Sequence, residues 1–268
     1  MARAIDPPFP GQVDPPIEVP TAAAEATPAR VDDRMGDRLS GRVPSGMLIA
    51  TQMAKMLRER GADALHLGWE RACRLGAVGP DDRRGRQYGA FGEGSCIAFP
   101  PGTVFGQRWI RIGSRTLIGP QVSLSAGMAP GQAMVTDPVI AIGDRCVIGR
   151  GSQIVGHLSI EIGDDVQTGP YVYITDQNHS YEALDEPIGL QWPTEQPVRV
   201  GSGSWLGAGV ILLPGADVGE HVVVAAGSVV RGRIEDRCVV AGVPARVVRR
   251  HVPGVGWQRT GEDSMVKA

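Results

Sequence analysis

From Ile112 onward the chain repeats itself every six residues, and few folds can carry such a period. The units run IGSRTL, IGPQVS, LSAGMA, then IGDRCV, IGRGSQ, IVGHLS, then IGDDVQ, TGPYVY, ITDQNH. After a gap come VGSGSW, LGAGVI, LLPGAD, VGEHVV, VAAGSV and a last unit starting at Val230. An aliphatic residue opens every unit except the one at Thr168, and Gly often follows it, as at Gly113, Gly143, Gly163, Gly201 and Gly207. The fifth place is small or β-branched, with Met128, Leu158 and Asn178 as exceptions. A helix needs apolar residues every three or four positions and a half-buried strand every two. A sustained period of six fits neither. It fits a solenoid of short strands and turns, a parallel β-helix with three units per triangular coil. First-place residues point inward, fifth places near the corners must be small, and Gly at the second place suits a turn where a side chain or negative φ is costly. The chain holds 37 Gly but only 5 Trp, 4 Tyr and 4 Phe, with 42% hydrophobic residues. That composition suits a narrow aliphatic prism.

Five coils are expected to begin at Ile112, Ile142, Ile162, Val200 and Val218, with a degenerate one around Phe99 and Phe105 before them. The pattern divides the chain into a disordered arm (1–44), a helical N-terminal segment (45–95), the β-helix domain (96–250) and a C-terminal tail (251–268). Within 45–75, Met47, Leu48, Met53, Met56 and Leu57 fall near helical spacing, as do Leu65, Trp69, Cys73 and Leu75. This predicts two short helices, the first ended by Gly61, packed against the main domain.

A net charge of −2 gives no global attraction to nucleic acid or a membrane surface. Cys73, Cys96, Cys146 and Cys238 form no CxxC pair or Cys/His cluster, as expected in a reducing cytoplasm. No stretch approaches 18 apolar residues, and MARAIDPPFPGQVDPP is too polar and Pro-rich for a signal peptide. The expected localisation is cytoplasmic, with no membrane span.

Extra residues interrupt the hexads at 130–141, 160–161 and 180–199. Each interruption lies between the third hexad of one coil and the first of the next, so all three leave from one edge of the prism. Loops stacked on one edge are where a solenoid places its function. His179 stands there, where the longest loop begins. His66 falls on a helix and His251 in the tail, while His157 and His221 occupy fourth places and are expected to point outward.

TDQNHSY, the Pro-containing loop after it, GSGSWLGAGVILLPGADVGEHVVVAAGSVVRG and VVAGVPARVVRR together resemble one family. It is the left-handed β-helix acyltransferases, in their maltose, galactoside and polysaccharide O-acetyltransferase branch. The resemblance is dense over residues 162–250, looser back to 112, and does not cover the first 90. It implies acetyl-CoA, or another acyl-CoA, as co-substrate, a sugar or glycan hydroxyl as acceptor, and no metal. It makes His179 the general base, with Asp176 as a nearby candidate to orient it. It places the amides of Ala208 and Ala226 and the ring of Trp205 beside the thiol end and pantetheine arm of the cofactor. Arg246 and Arg249 match positions near its nucleotide, and Arg231 stands where relatives carry Thr-Lys. The acceptor pocket is expected from the loops 130–141 and 180–199, with Asn178, Tyr181, Glu186 and Trp192.

The hexad phase adds one inference. His179 ends a third hexad and Trp205 a first, so they lie on different edges. Six extended residues span at most about 20 Å, so one chain holds the two more than about 10 Å apart. One site can use both only across a subunit boundary, which predicts a ring-closing homotrimer, the assembly the resemblance also implies. Competing readings are an amino-sugar N-acyltransferase, an antibiotic O-acetyltransferase, a non-catalytic hexapeptide scaffold, and a zinc-dependent carbonic anhydrase of the gamma type. The last requires three converging histidines, and the sequence lacks the close His pair such a site uses.

Overall fold

The computed structural model describes residues 45–260. The expected disordered arm, 1–44, and the end of the tail, 261–268, lie outside the described residues. Ser45–Gly76 forms one continuous α-helix of 32 residues, where two helices were expected. Gly61 does not end it. A single Gly inside a helix costs only about 1 kcal/mol, which thirty helical neighbours absorb. The helix starts in a small N-terminal unit that closes at Leu57 and continues into the main unit from Arg58. In the main unit Leu65, Leu67, Trp69 and Leu75 are exposed, so the chain does not cover the expected packing face. Met53, Met56 and Leu57 are exposed as well. Near the end of the helix, the Trp69 ring meets Phe99 with centroids 6.3 Å apart.

Three parallel sheets follow, each one wall of the prism, and together they make the left-handed β-helix. Sheet one stacks Ala90–Phe91, Ile110–Ile112, Ile140–Ile142, Ile160–Ile162, Val198–Val200, Asp217–Val218 and Arg233–Ile234. Sheet two runs from Cys96–Ile97 through Leu117–Ile118, Val147–Ile148, Gln167–Thr168, Trp205–Leu206 and Val223–Val224 to Cys238–Ala241. Sheet three stacks Val104–Phe105, Ser123–Ala126, Gln153–Gly156, Tyr173–Thr175, Ile211–Leu212 and Val229–Val230. Seven rungs at about 4.8 Å each make a prism roughly 30 Å long. The degenerate first coil therefore begins at Ala90, earlier than the expected boundary at 96. The expected tail is structured through Arg259, because Arg246–Val252 and Gly256–Arg259 extend sheet two as antiparallel strands.

The first-place residues fill the prism. Ile112, Ile118, Leu124, Ile142, Ile148, Ile154, Val200, Leu206 and Leu212 are all 3% exposed or less. The small fifth-place residues, such as Cys146, Ser152, Val166 and Ser204, are buried too. The three exceptions fall at the edge from sheet three to sheet one, where the loops leave. The second-place glycines serve close stacking, not unusual torsion. A Cβ on Gly207 would lie 2.5 Å from the amide nitrogen of Ala226 in the next coil. The left-handed torsion sits two residues later, at the fourth place, with φ of 55° at Arg115, 60° at Tyr171 and 66° at Gly209. So the second-place Gly excludes a side chain, as expected, but the φ requirement belongs to its neighbour.

Candidate active site

The three edges of the prism solve the same problem differently. A corner whose third place is not Pro leaves that amide without a partner in its own coil, and a polar side chain from the next coil can accept its hydrogen. From sheet one to sheet two such a ladder forms. Ser114 donates to Asp144 Oδ1 at 2.7 Å, Asp144 to Asp164 Oδ1 at 2.8 Å, and Asp164 to Ser202 Oγ at 3.0 Å. From sheet two to sheet three the third places are Pro120, Arg150, Pro170, Ala208 and Ala226. Alanine has nothing to offer a neighbouring amide. Among the described residues the exposed N–H groups of Ala208 and Ala226 donate to no group, while the carbonyl of Ala208 accepts from Gly227 at 2.9 Å. Trp205 stands near this edge, 54% exposed at the start of its sheet-two strand.

All the long loops leave from sheet three to sheet one, as the hexad register predicts. Between them and the outer face of sheet three lies a cleft of about 640 Å³. Its floor is a register row across four coils, Phe105, Ser125, Val155 and Thr175, with Tyr173 beside it. One wall holds Gly127 and Met128, and the other Gly189, Leu190, Gln191, Trp192 and Pro193. Gln177, Asn178 and the exposed His179 close one end. His179 follows directly on Gln177–Asn178, a short strand paired antiparallel with Thr194–Glu195. The two ends of the long loop are thereby zipped together beneath the histidine.

That loop is held by its own side chains. Buried Gln191 donates through Nε2 to the carbonyls of Ala183 and Glu186 at 2.8 and 2.9 Å and accepts from the Ala183 amide. Ser180 Oγ donates to the Trp192 carbonyl at 2.6 Å. Of the expected acceptor-pocket residues, Asn178 and Trp192 line the cleft. Tyr181 and Glu186 do not, because the loop turns their positions outward to solvent.

Asp176 does not turn toward His179. It is fully buried, and its carboxylate accepts from the amides of His157 at 2.9 and 3.1 Å, Leu158 at 2.8 Å and Ser159 at 2.8 Å. Every coil must bend here, and this bend needs an acceptor for three adjacent amides, so the carboxylate is spent on the corner of the preceding coil. Burial raises its pKa above the ordinary carboxylate value, the three amides oppose that rise, and nearby Glu195 adds to it.

The expected outward placement of His157 is also corrected. Its side chain is buried, with Nδ1 bonded to Glu195 and Nε2 3.0 Å from Gln132 Nε2. Its ring stands edge-on to Trp192 at 5.8 Å. His221 does point outward. The hexad pattern misses His157, Glu195 and Gln132 because their partners come from inserted loops without a register.

The expected cofactor residues do not form one cluster in the chain. Trp205, Ala208 and Ala226 stand on sheet two and its edge with sheet three. Arg246 and Arg249 lie on the antiparallel strand that extends sheet two, both exposed. Arg231 is at the other edge, in the turn after Val229–Val230, on the side where His179 stands. Among the described residues no group of three or more His, Cys, Asp or Glu side chains is arranged to hold a metal ion. No described helix is long and apolar enough to cross a membrane.

Comparison with known proteins agrees with this geometry. Residues 197–232 match the family profile described as bacterial transferase hexapeptide (six repeats), and residues 139–175 match hexapeptide repeat of succinyl-transferase. Over these two stretches the chain is similar to hexapeptide-repeat transferases. A probable acetyltransferase of Mycobacterium tuberculosis is 33% identical over 53% of this chain and 42% of its own. A putative lipopolysaccharide biosynthesis O-acetyl transferase of Escherichia coli is 34% identical over 42% of this chain and 61% of its own. The match thus spans about half the length of these curated relatives. Among solved structures, an N-acyltransferase from Bacillus cereus in complex with dTDP and coenzyme A shares the fold. Its TM-score is 0.54 at 19% identity, covering 65% of this chain and 91% of that one.

Proposed function

We propose that this hexapeptide-repeat protein transfers an acyl group, acetyl above all, from acyl-CoA to a hydroxyl of a sugar or glycan precursor, with His179 as general base. The observation that carries this reading is the position of His179 at the rim of a cleft whose other lining side chains are uncharged. A hydroxyl is a poor nucleophile near neutral pH, and an imidazole within hydrogen-bond reach can take its proton as attack on the thioester proceeds. The bond that forms joins acceptor oxygen to acyl carbon, and the bond that breaks joins that carbon to the CoA sulfur. The proton taken by His179 then returns to the leaving thiolate.

The unpaired amides of Ala208 and Ala226 supply donors for the thioester end and pantetheine arm of CoA, beside Trp205. Arg246 and Arg249 supply charge for its phosphates. Because these groups and His179 occupy different edges, a complete site takes His179 from one subunit and the Trp205 edge from the next, in a homotrimer. The acetyltransferase names of the sequence relatives, one of them in lipopolysaccharide biosynthesis, support acyl transfer to a glycan.

A thiol-release screen of acyl-CoAs against methyl glycosides and oligosaccharides tests the reading, with His179→Ala as the blank. Loss of about a thousandfold or more in kcat is expected for that variant. Wild-type rate in the variant overturns the assignment. Transfer to an amino sugar is a second reading, prompted by a structure of the Bacillus cereus N-acyltransferase in complex with dTDP-4-amino-4,6-dideoxyglucose and coenzyme A, and amino-sugar acceptors in the same screen decide it.

A further inference from the structure

We infer that Glu195, His157 and Gln132 form a positioning relay that holds both walls of the cleft in place for the acceptor. The inference rests on the reading that this cleft takes the acceptor beside His179.

The argument starts from which groups can donate. Gln132 Oε1 accepts from the Met128 amide at 2.8 Å, so the orientation of this side-chain amide is fixed by its own loop. Its Nε2 must then be the donor toward His157 Nε2, 3.0 Å away. A ring nitrogen that accepts carries no proton, which places the proton of a neutral His157 on Nδ1. There it faces the Glu195 carboxylate, an acceptor. The sequence Glu195 ← His157 ← Gln132 ← Met128 amide is therefore self-consistent in one tautomer. The side chains of His157 and Glu195 are 9% and 19% exposed.

Each end of the relay fixes a different wall. Gln132 ties down the turn that presents Met128 to the cleft. Glu195 lies in the strand Thr194–Glu195, with Glu195 opposite Gln177 and Thr194 opposite Asn178, immediately before His179. Between the two ends the His157 ring supports Trp192, which lines the same cleft. The residues come from three separate excursions of the chain, and the relay links these excursions side chain to side chain. The backbone that carries His157 is anchored in turn, its amide held by the Asp176 carboxylate. The relay touches no reacting atom in this arrangement, so its effect belongs to acceptor binding.

The two arms can be cut separately. In His157→Asn the side-chain amide nitrogen overlays Nδ1 and keeps the Glu195 arm. In His157→Gln the terminal amide overlays Nε2 and keeps the Gln132 arm. Hydrogen exchange should show faster exchange in 127–134 for His157→Asn and in 180–195 for His157→Gln, with the β-helix strands unchanged in both. In kinetics with acetyl-CoA and the methyl glycoside giving the most His179-dependent thiol release, acceptor KM should rise about tenfold for each variant and for Glu195→Ala. The KM for acetyl-CoA should stay at the wild-type value. Glu195→Gln, which still offers Oε1 to Nδ1, should recover most of the loss seen in Glu195→Ala.

Unchanged exchange in both loops, or unchanged acceptor KM, overturns the relay. A rise in the KM of acetyl-CoA equal to that of the acceptor overturns it too, since the effect then does not belong to acceptor binding. If no glycoside gives His179-dependent release, the reading of the cleft fails, and the exchange pattern alone decides whether the relay holds the loops.

Discussion

Single residues at the edge from sheet three to sheet one carry more of the architecture than their sequence context suggests. Asp176 is the clearest case. Its carboxylate satisfies three consecutive amides in a buried bend, and Asn in its place would set an NH2 group against some of those donors. Leaving buried donors unmet costs 1–3 kcal/mol each, so Asp176→Asn is expected to lose roughly 2–3 kcal/mol, read as a lower urea midpoint. The same residue gives a pH signature. Burial raises its native pKa above 3.8, so the native state holds the proton more tightly than the unfolded chain. Its contribution is then fully present below 3.8 and is lost as pH rises through the higher native value. The difference in midpoint between wild type and Asp176→Asn should therefore shrink as pH climbs through that window. A constant difference would show that the native pKa is not raised.

At the scale of the strand and turn, the hexad has two Gly preferences with different causes, and substitution separates them. At Gly207 an added Cβ meets backbone of the next coil, which cannot move without opening the coil spacing. At Gly209 φ is 66° and nothing lies within 4 Å, so Ala there incurs only the left-handed torsion. Gly207→Ala should lose about 3 kcal/mol and Gly209→Ala about 1 kcal/mol, compared by thermal unfolding. Equal losses would refute the division. The register itself was legible, because a six-residue period leaves one phase in which the aliphatic residues face inward. The helix was less so. Gly61 and a scatter of apolar residues suggest two short helices, yet local propensity over thirty residues outweighs one Gly. The pairing of Gln177–Asn178 with Thr194–Glu195 is not legible in the sequence either, since each partner is too short for a period to show.

For the whole molecule, the separation of His179 from Trp205 becomes a statement about assembly. If sites form across subunits, a mixed trimer of His179→Ala and Trp205→Ala chains holds one interface with both native residues. Random mixing in equal parts should then restore about one quarter of the wild-type sites, measured as thiol release after denaturation and co-refolding. No recovery above the parent variants would mean that each chain builds its site alone. The mass of the native protein in solution gives an independent check on the trimer.

The sequence by itself determined the coils, the inward residues and the edge from which the loops depart, because these follow from a repeat that each coil states locally. It also placed His179 on that edge. Only the tertiary structure decided what Asp176, His157 and Glu195 do. Their partners lie 17 to 38 residues away, in a preceding coil or across an insertion. No periodic pattern reaches across an insertion, so which side chains meet there depends on the path the loop takes once the prism beneath it has formed.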